Sequence, residues 1–115
     1  MRATKLQKKA ADVGFDWNDV SGALDKLEEE IGELRAAIAN KDKENMTEEL
    51  GDILFSAVNV SRFIKTDAEE ALTAASDKFL SRFTTVEALA KERDIDMKSV
   101  GIDELDKLWD EAKAK

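Results

Sequence analysis

Residues 21–39 read SGALDKLEEEIGELRAAIA, and this stretch decides the fold class. Its large apolar residues are separated by three, four, three and four positions: Leu24, Leu27, Ile31, Leu34 and Ile38. This spacing places them on one face of an amphipathic helix. Asp19 or Ser21 is a suitable N-cap for that helix, because the side-chain oxygen of either residue can accept a hydrogen bond from a free backbone N–H.

Helical periodicity continues on both sides of this stretch. Further helices are predicted over about residues 2–13, from the mid-forties to about 65, from 66 to about 93, and over about 102–113. The first carries Leu6, Ala10 and Val13 and ends at Gly14, a predicted C-cap. Residues 66–69 (TDAE) match a capping box that opens the fourth helix, and Phe79 and Phe83 on that helix are assigned to the core.

No segment alternates apolar and polar residues for long enough to form a strand, and no proline interrupts a helix. The length of 115 residues is typical of one domain. The sequence therefore predicts an all-α helical bundle of about four to five helices, with residues 1–115 forming a single domain.

The composition excludes several kinds of chemistry. The chain has no Cys and no His, which excludes a thiol nucleophile, a Ser-His-Asp triad and a zinc finger. A di-iron bundle built on Glu-x-x-His motifs is excluded for the same reason. Any metal must be bound by oxygen atoms, which favours a hard cation such as Mg²⁺, Mn²⁺ or Ca²⁺.

The charge balance narrows the set of partners. With 18 basic and 26 acidic residues, the formal net charge is −8, which argues against nucleic-acid polymers and anionic membranes. The longest apolar run, residues 36–39, cannot span a bilayer, and no signal peptide is recognisable. We therefore expect a cytoplasmic protein that binds neither a nucleic-acid polymer nor a membrane.

An acidic hexad occurs twice in the chain. Residues 29–34 are EEIGEL, and residues 48–53 are EELGDI. On helical wheels four acids border the apolar stripes of the two helices: Glu30, Glu33, Glu49 and Asp52. Packing these stripes together would gather the four carboxylates at one rim. Gly32 and Gly51 each destabilise their helix by about 0.5–1 kcal/mol relative to alanine. Close approach of the helices, or room for a ligand, would explain why glycine occupies these positions.

Four clustered carboxylates repel one another unless protons or a cation neutralise them. Mg²⁺ prefers oxygen ligands and also binds phosphate oxygens, so we interpret the cluster as a metal site that serves a polyphosphate. The alternative is a solvated helix face with ordinary ion pairs, such as one between Lys26 and Glu30. Repetition of the whole hexad, glycine included, favours the metal site.

At these residues the sequence resembles the MazG family of nucleoside triphosphate pyrophosphohydrolases. The family pattern is E-E-x-x-E followed on the next helix by E-x-x-D, which here occupies residues 29–33 and 49–52. Further matches are GFDW at 14–17, DKLEE at 25–29, DKFLSRF at 77–83 and LDKLWDEAK at 105–113. The resemblance spans nearly the whole chain and is greatest to the C-terminal of the two domains of full-length members. We therefore expect a domain of a longer protein or a single-domain relative.

This resemblance implies a MazG-like all-α NTP pyrophosphatase fold and Mg²⁺-dependent hydrolysis of an NTP or dNTP between its α and β phosphates, giving NMP and pyrophosphate. Mn²⁺ is the implied substitute for Mg²⁺, and the implied assembly is a homodimer or larger homo-oligomer. The implied catalytic residues are Glu29, which would orient or deprotonate the attacking water, and Glu30. The implied metal ligands are Glu30, Glu33, Glu49 and Asp52.

Lys78 and Arg82, at i and i+4 on one helix face, are candidates for holding the phosphates, and Lys26 is a further one. Taken alone, the Lys78 and Arg82 pair is more typical of an exposed basic edge. The family resemblance is what favours a role in binding substrate.

Trp17 is a candidate for stacking on a base and Trp109 for closing the site, although packing is the more common use of tryptophan. Ser76 stands where the family usually has Asn, so a nucleotide contact at that position is in question. This departure leaves room for an alternative function, a non-catalytic helical module that binds nucleotide or a partner protein.

Overall fold

The computed structural model describes all residues from Met1 to Lys115 as five α-helices without a strand. The helices are α1 (Arg2–Asp12), α2 (Val20–Ala39), α3 (Lys43–Phe63), α4 (Ala68–Glu92) and α5 (Ile102–Ala114). The predicted all-α class is confirmed, and each predicted helix is present. None of the five combines the length and the apolar character that a membrane span requires.

The first four helices end in the same backbone arrangement, in which one residue adopts a left-handed conformation. These residues are Gly14, Lys41, Lys65 and Asp94, with φ between 55° and 86°. At each end, the next N–H bonds to the carbonyl five residues earlier, as Phe15 does to Ala10 at 3.0 Å. This is the Schellman motif. Gly14 thus follows the C-cap Val13, and this turn stops α1 without a proline.

The start of α2 agrees with one of the two predicted caps, whereas the start of α4 does not agree with its predicted cap. Asp19 caps α2, because its Oδ1 accepts a hydrogen bond from the Ser21 N–H at 2.9 Å. The capping box that begins at Thr66 is wrong. Asp67 Oδ1 accepts from the Glu70 N–H at 3.0 Å, so α4 starts one residue later than predicted. Thr66 is still part of the turn that ends α3.

The chain forms two compact units, Met1–Glu70 and Ala71–Lys115. In the first unit α2 packs along α3, and α1 packs on α3. Among the residues of α1 and its C-cap, Leu6 and Val13 are exposed, whereas Gln7 is buried. Gln7 attaches α1 to α3 through a hydrogen bond from its Nε2 to the Phe55 carbonyl, at 2.9 Å.

The second unit has a core of its own, formed where α5 packs against the C-terminal half of α4. The buried residues are Val86, Leu89, Ala90, Leu108 and Ala112. The guanidinium of Arg93 makes two hydrogen bonds to the Glu111 carboxylate, at 2.6 and 2.8 Å. The prediction of a single domain over residues 1–115 stays a prediction.

The assignment of Phe79 and Phe83 to the core is wrong. These side chains are 58% and 37% exposed, and their rings stack on each other with centroids 5.9 Å apart. Helical periodicity places both on the apolar face of α4, but the buried core of this unit begins at Val86.

Leu108→Ala should destabilise the protein strongly, because Leu108 is 3% exposed within the core of the second unit. We expect a loss of about 2–5 kcal/mol in the free energy of unfolding of this unit, measured by urea denaturation. Ile102→Ala on the same helix is the control, since Ile102 is 69% exposed and should change the value by less than about 0.5 kcal/mol. Equal losses for the two variants would contradict the described core.

Candidate functional site

Three carboxylates meet where α2 lies against α3. One oxygen each of Glu30, Glu49 and Asp52 lies within 4.8 Å of the other two. Glu30 and Glu49 are buried and Asp52 is exposed, so the cluster is accessible from one side. The Glu33 carboxyl lies close enough to Glu30 and Glu49 to influence the pKa of both, although it is outside this group of three. The fold therefore brings together three of the four predicted acids, with Glu33 beside them. The expected packing of the two apolar stripes on each other is wrong, because Ile31 and Leu50 are exposed whereas Glu30 and Glu49 are buried.

Lys26 neutralises one member of this carboxylate cluster. Its Nζ lies 3.0 Å from Glu30 Oε1 and 3.6 Å from Glu29 Oε1. The bond from Lys26 holds the pKa of Glu30 below its usual value, and the same contact raises the pKa of Lys26. The ion pair considered as the alternative role of Lys26 is thus present. Glu29 is exposed and lies outside the group of carboxylates that meet.

Glu49 has no cationic partner among its neighbours. Burial, together with the approach of the Glu33 and Glu30 carboxylates, raises the pKa of Glu49 to about 7. The Oε2 atoms of Glu30 and Glu49 are both buried without a hydrogen-bond partner. Unpaired buried oxygens of this kind are costly. An all-oxygen donor set with unpaired anionic atoms fits a hard divalent cation such as Mg²⁺.

The two glycines of the hexads are not explained by contact between α2 and α3. A Cβ atom built on Gly32 or Gly51 would meet no other atom within 4 Å, so close approach of α2 and α3 to each other is not the reason for these glycines. Gly22 is different, since a Cβ there would lie 3.0 Å from Cε3 of Trp17. The Trp17 ring therefore packs directly over the backbone of α2.

A cleft of about 550 Å³ opens in the first unit, with walls from α1, the loop before α2, and α3. Its aromatic side chains are Phe15, Trp17 and Phe55, and its polar ones include Gln7 and Asn59. Lys26 also lines the cleft, and its ammonium group contacts Glu30. The cleft and the carboxylate cluster are therefore adjacent and share one side chain.

The loop that carries Trp17 is attached to α3 by Arg62. Arg62 Nη2 donates to Asp16 Oδ1 at 2.5 Å, and its Nε and Nη2 donate to Asn59 Oδ1 at 3.2 and 2.9 Å. Asp16 Oδ1 also accepts from the Trp17 N–H at 2.9 Å. The bond from Arg62 lowers the pKa of Asp16. This network holds Trp17 at the edge of the cleft.

Four predicted site residues belong to the second unit. On α4, Ser76 Oγ donates to the carbonyl of Leu72 at 3.0 Å, Lys78 is exposed and Arg82 is half-buried. Lys78 and Arg82 are one helical turn apart and share a face. Trp109 is half-buried against the core, with its ring 5.3 Å from that of Phe79, in agreement with the packing role. Roles of these residues in substrate binding stay predictions.

Sequence reasoning missed the polar residues of the cleft. Asn59 and Arg62 lie one turn apart on α3, but Gln7 comes from α1, and no spacing pattern connects it to the other two. The one available signal was a polar residue inside an apolar stretch, since Asn59 stands between Val58 and Val60. Gln7 gave no such signal, because it lies in a polar stretch between Leu6 and Lys8.

Comparison with known proteins identifies the family of this chain. Residues 18–87 match the MazG nucleotide pyrophosphohydrolase domain family. The chain belongs to this family. The matched range includes both acidic hexads, Lys78 and Arg82, and it excludes Gln7 and both tryptophans. The family resemblance stated from the sequence is confirmed.

Similar proteins of the family are longer than this chain. A Thermotoga maritima protein named nucleoside triphosphate pyrophosphohydrolase/pyrophosphatase MazG is 43% identical over 111 residues, which cover 96% of this chain and 42% of the relative. The nucleoside triphosphate pyrophosphohydrolase of Escherichia coli K12 is 41% identical over 115 residues, covering 98% and 44%. The uncharacterized protein YabN of Bacillus subtilis is 49% identical over 69 residues, covering 60% and 14%. The MazG chain thus spans less than half the length of each.

Glu49→Gln should stabilise the metal-free protein in a pH-dependent way. A carboxyl whose pKa is raised on folding from 4.5 to about 7 disfavours the folded state increasingly as the pH rises through that interval. In EDTA, we expect Glu49→Gln to raise the midpoint of thermal unfolding at pH 8, where it removes an unpaired anion, and to change it little at pH 5.

Glu48→Gln provides the control for this measurement, because Glu48 is the adjacent exposed acid. Its effect on the unfolding midpoint should be small at both pH values. An equal shift for Glu49→Gln at pH 5 and pH 8 would contradict the raised pKa of Glu49.

Proposed function

We propose that this MazG chain hydrolyses nucleoside or deoxynucleoside triphosphates between the α and β phosphates, giving NMP and pyrophosphate, with Mg²⁺ as cofactor. The observation that carries the proposal is the carboxylate cluster between α2 and α3, in which two buried oxygens have no partner. Its position beside a cleft of about 550 Å³ suits a ligand with an anionic part and a planar part. The names of the two relatives from Thermotoga maritima and Escherichia coli support the reaction class.

Glu30, Glu33, Glu49 and Asp52 are the residues that would hold the cation, and Mn²⁺ would substitute for Mg²⁺. When bound there, Mg²⁺ supplies neutralisation of phosphate charge and acidification of a bound water. The buried pair, Glu30 and Glu49, fixes the position of the site, because both side chains are enclosed between the helices. The exposed carboxylate of Asp52 completes it on the accessible side.

The remaining polar residues of the proposed site orient water and phosphate. Glu29 is exposed beside the cluster and is the candidate that orients the attacking water and accepts its proton. Lys26 lies between the cleft and the cluster, where its ammonium group can bind a phosphate oxygen. Lys78 and Arg82 are further phosphate ligands, and the planar guanidinium of Arg82 can make two parallel hydrogen bonds.

The cleft is the proposed place of the nucleobase. Trp17 is anchored over Gly22 and half-exposed along the cleft, so one side of its ring is available for stacking. Trp109 and Ser76 remain candidates for contacts with the nucleotide from the second unit.

Incubation with each NTP and dNTP in the presence of Mg²⁺ tests the proposed reaction. We expect NMP and pyrophosphate in equal amounts, with activity lost in EDTA. The double variant Glu33→Ala, Asp52→Ala should lower kcat/KM by about a hundredfold or more, because two oxygen donors to the cation are removed. Glu48→Ala is the matched control and should retain activity. Turnover by the wild type that is no higher than that of the double variant, or release of orthophosphate, would refute the proposed reaction.

The alternative function is a helical module that binds nucleotide or a partner protein without catalysis. The observation in its favour is Ser76, which replaces the usual Asn of the family and whose hydroxyl is bonded to its own helix. Calorimetric binding of nucleotide with no product formed in the same panel would favour this alternative over the enzyme.

We further propose that the chain forms a homodimer or larger homo-oligomer. The α2 helix leaves Leu24, Ile31 and Ile38 exposed at intervals of seven residues, and α3 leaves Leu50 and Leu54 exposed. Regular rows of this kind are suited to packing against another helix. A second copy of the same chain is the proposed partner, because two identical helical faces can pack across a twofold axis.

Light scattering should therefore give at least twice the mass of one 12.8 kDa chain. Ile31→Glu places a charge in the middle of the exposed row of α2 and should shift the protein towards the monomer. Lys43→Glu, at the exposed start of α3, also changes a charge and should leave the mass unchanged. A wild-type monomer at working concentration would contradict the proposed assembly.

A further inference from the structure

One side chain of the cleft has an acceptor atom that the chain leaves without a partner. Gln7 is 6% exposed and lines the cleft. Its Nε2 donates to the Phe55 carbonyl at 2.9 Å, which fixes the orientation of the amide. The other amide atom, Oε1, is buried and has no hydrogen-bond partner. A ligand in the cleft therefore gains most if it brings an N–H donor to this oxygen.

Asn59 offers the opposite hydrogen-bonding capacity in the same cleft. It lies on α3 one turn after Phe55, whose carbonyl holds Gln7. Its Oδ1 already accepts two hydrogen bonds from Arg62, so the group that Asn59 can offer a ligand is its Nδ2 donor. The cleft thus presents one acceptor and one donor to a planar molecule.

Nucleobases present N–H donors in two forms. The exocyclic amino groups of adenine, cytosine and guanine project beyond the ring, and a ring nitrogen that can accept a hydrogen bond lies beside each of them. The ring N–H of uracil or thymine instead lies between two carbonyl oxygens, and that of hypoxanthine lies beside one. Because the Gln7 oxygen is recessed, those carbonyls would approach it together with the N–H and repel it. A projecting amino group avoids this repulsion.

We propose that Gln7 is a specificity-determining residue through which the cleft selects nucleotides whose base carries an exocyclic amino group, namely those of adenine, cytosine and guanine, over those of uracil, thymine and hypoxanthine. This inference rests on the proposed function, since it places the base of the substrate in the cleft. Stacking on Trp17 is available to every base because every base has a π-face. Discrimination between bases therefore depends on Gln7 and on the donor of Asn59.

Two pairs of nucleotides that exchange an amino group for a carbonyl test the inference: ATP against ITP, and CTP against UTP. Pyrophosphate release and calorimetric binding are measured for all four in the presence of Mg²⁺. We expect kcat/KM to be about tenfold higher, and binding correspondingly tighter, for ATP than for ITP and for CTP than for UTP. Equal values within both pairs would overturn the inference.

The variant Gln7→Met tests whether Gln7 is responsible for the discrimination between bases, because methionine keeps the length of the side chain and lacks the amide oxygen. The Phe55 carbonyl can still accept its helical hydrogen bond from Asn59, so the fold is expected to persist, which circular dichroism would check. The ratio within each pair should fall to about twofold or less. Lys9→Met, at an exposed position of α1, should keep the wild-type ratio. A variant Gln7→Met that retained the full ratio would refute the role of Gln7.

The two readouts separate this inference from the proposed function. Tighter binding of ATP than of ITP without any pyrophosphate release would support the inference and refute the hydrolysis. Pyrophosphate release with equal efficiency from all four nucleotides would support the hydrolysis and refute the inference. Neither binding nor hydrolysis would refute both.

Discussion

The stability of the first unit is limited by electrostatic repulsion between the carboxylates that α2 and α3 enclose. Glu30 and Glu49 are buried where apolar side chains would stabilise the helix pair without any charge. Lys26 neutralises Glu30, but Glu49 lacks a cation, and its pKa rises to about 7. A helix pair evolved only for stability would avoid this arrangement. The proposed cation would use the unpaired oxygens, in keeping with the rule that local preferences are most often broken at functional sites.

Lys26 connects this constraint to the rest of the site. Its ammonium group pairs with Glu30, while the residue also lines the cleft that Trp17 and Phe55 border. A cation bound at the cluster would compete with Lys26 for Glu30, which would free the ammonium group for an anionic ligand in the cleft. The cation would then neutralise Glu30 in place of Lys26, and the phosphate would pair with the freed ammonium group of Lys26. The cation and the phosphate could therefore bind together. A protein with net charge −8 can attract a triphosphate in this way.

Helical periodicity was sufficient to predict five helices and to place the acids of α2 and α3 on neighbouring faces. It did not predict that Glu30 and Glu49 would be buried while Ile31 and Leu50 of the apolar stripes are exposed. Periodicity does not say what covers a face, and Phe79 and Phe83 are therefore exposed although they lie on an apolar stripe. Nor did it indicate that α1 attaches to α3 through the polar side chain of Gln7. The cleft could not be predicted at all, because α1, a loop and α3 contribute its residues from separate parts of the sequence.

The proposed interface between subunits and the proposed metal site involve neighbouring residues. Ile31 belongs to the exposed row of α2 and directly follows Glu30 in the sequence. Leu50 belongs to the exposed row of α3 and directly follows Glu49. A second copy that covered these rows would also remove water from around the carboxylate cluster. Less water raises the cost of an unpaired carboxylate and strengthens its attraction to a cation. In the proposed homodimer, subunit association and cation binding would therefore favour each other, and Gly32 and Gly51 would leave the space in which the second chain or the ligand is accommodated.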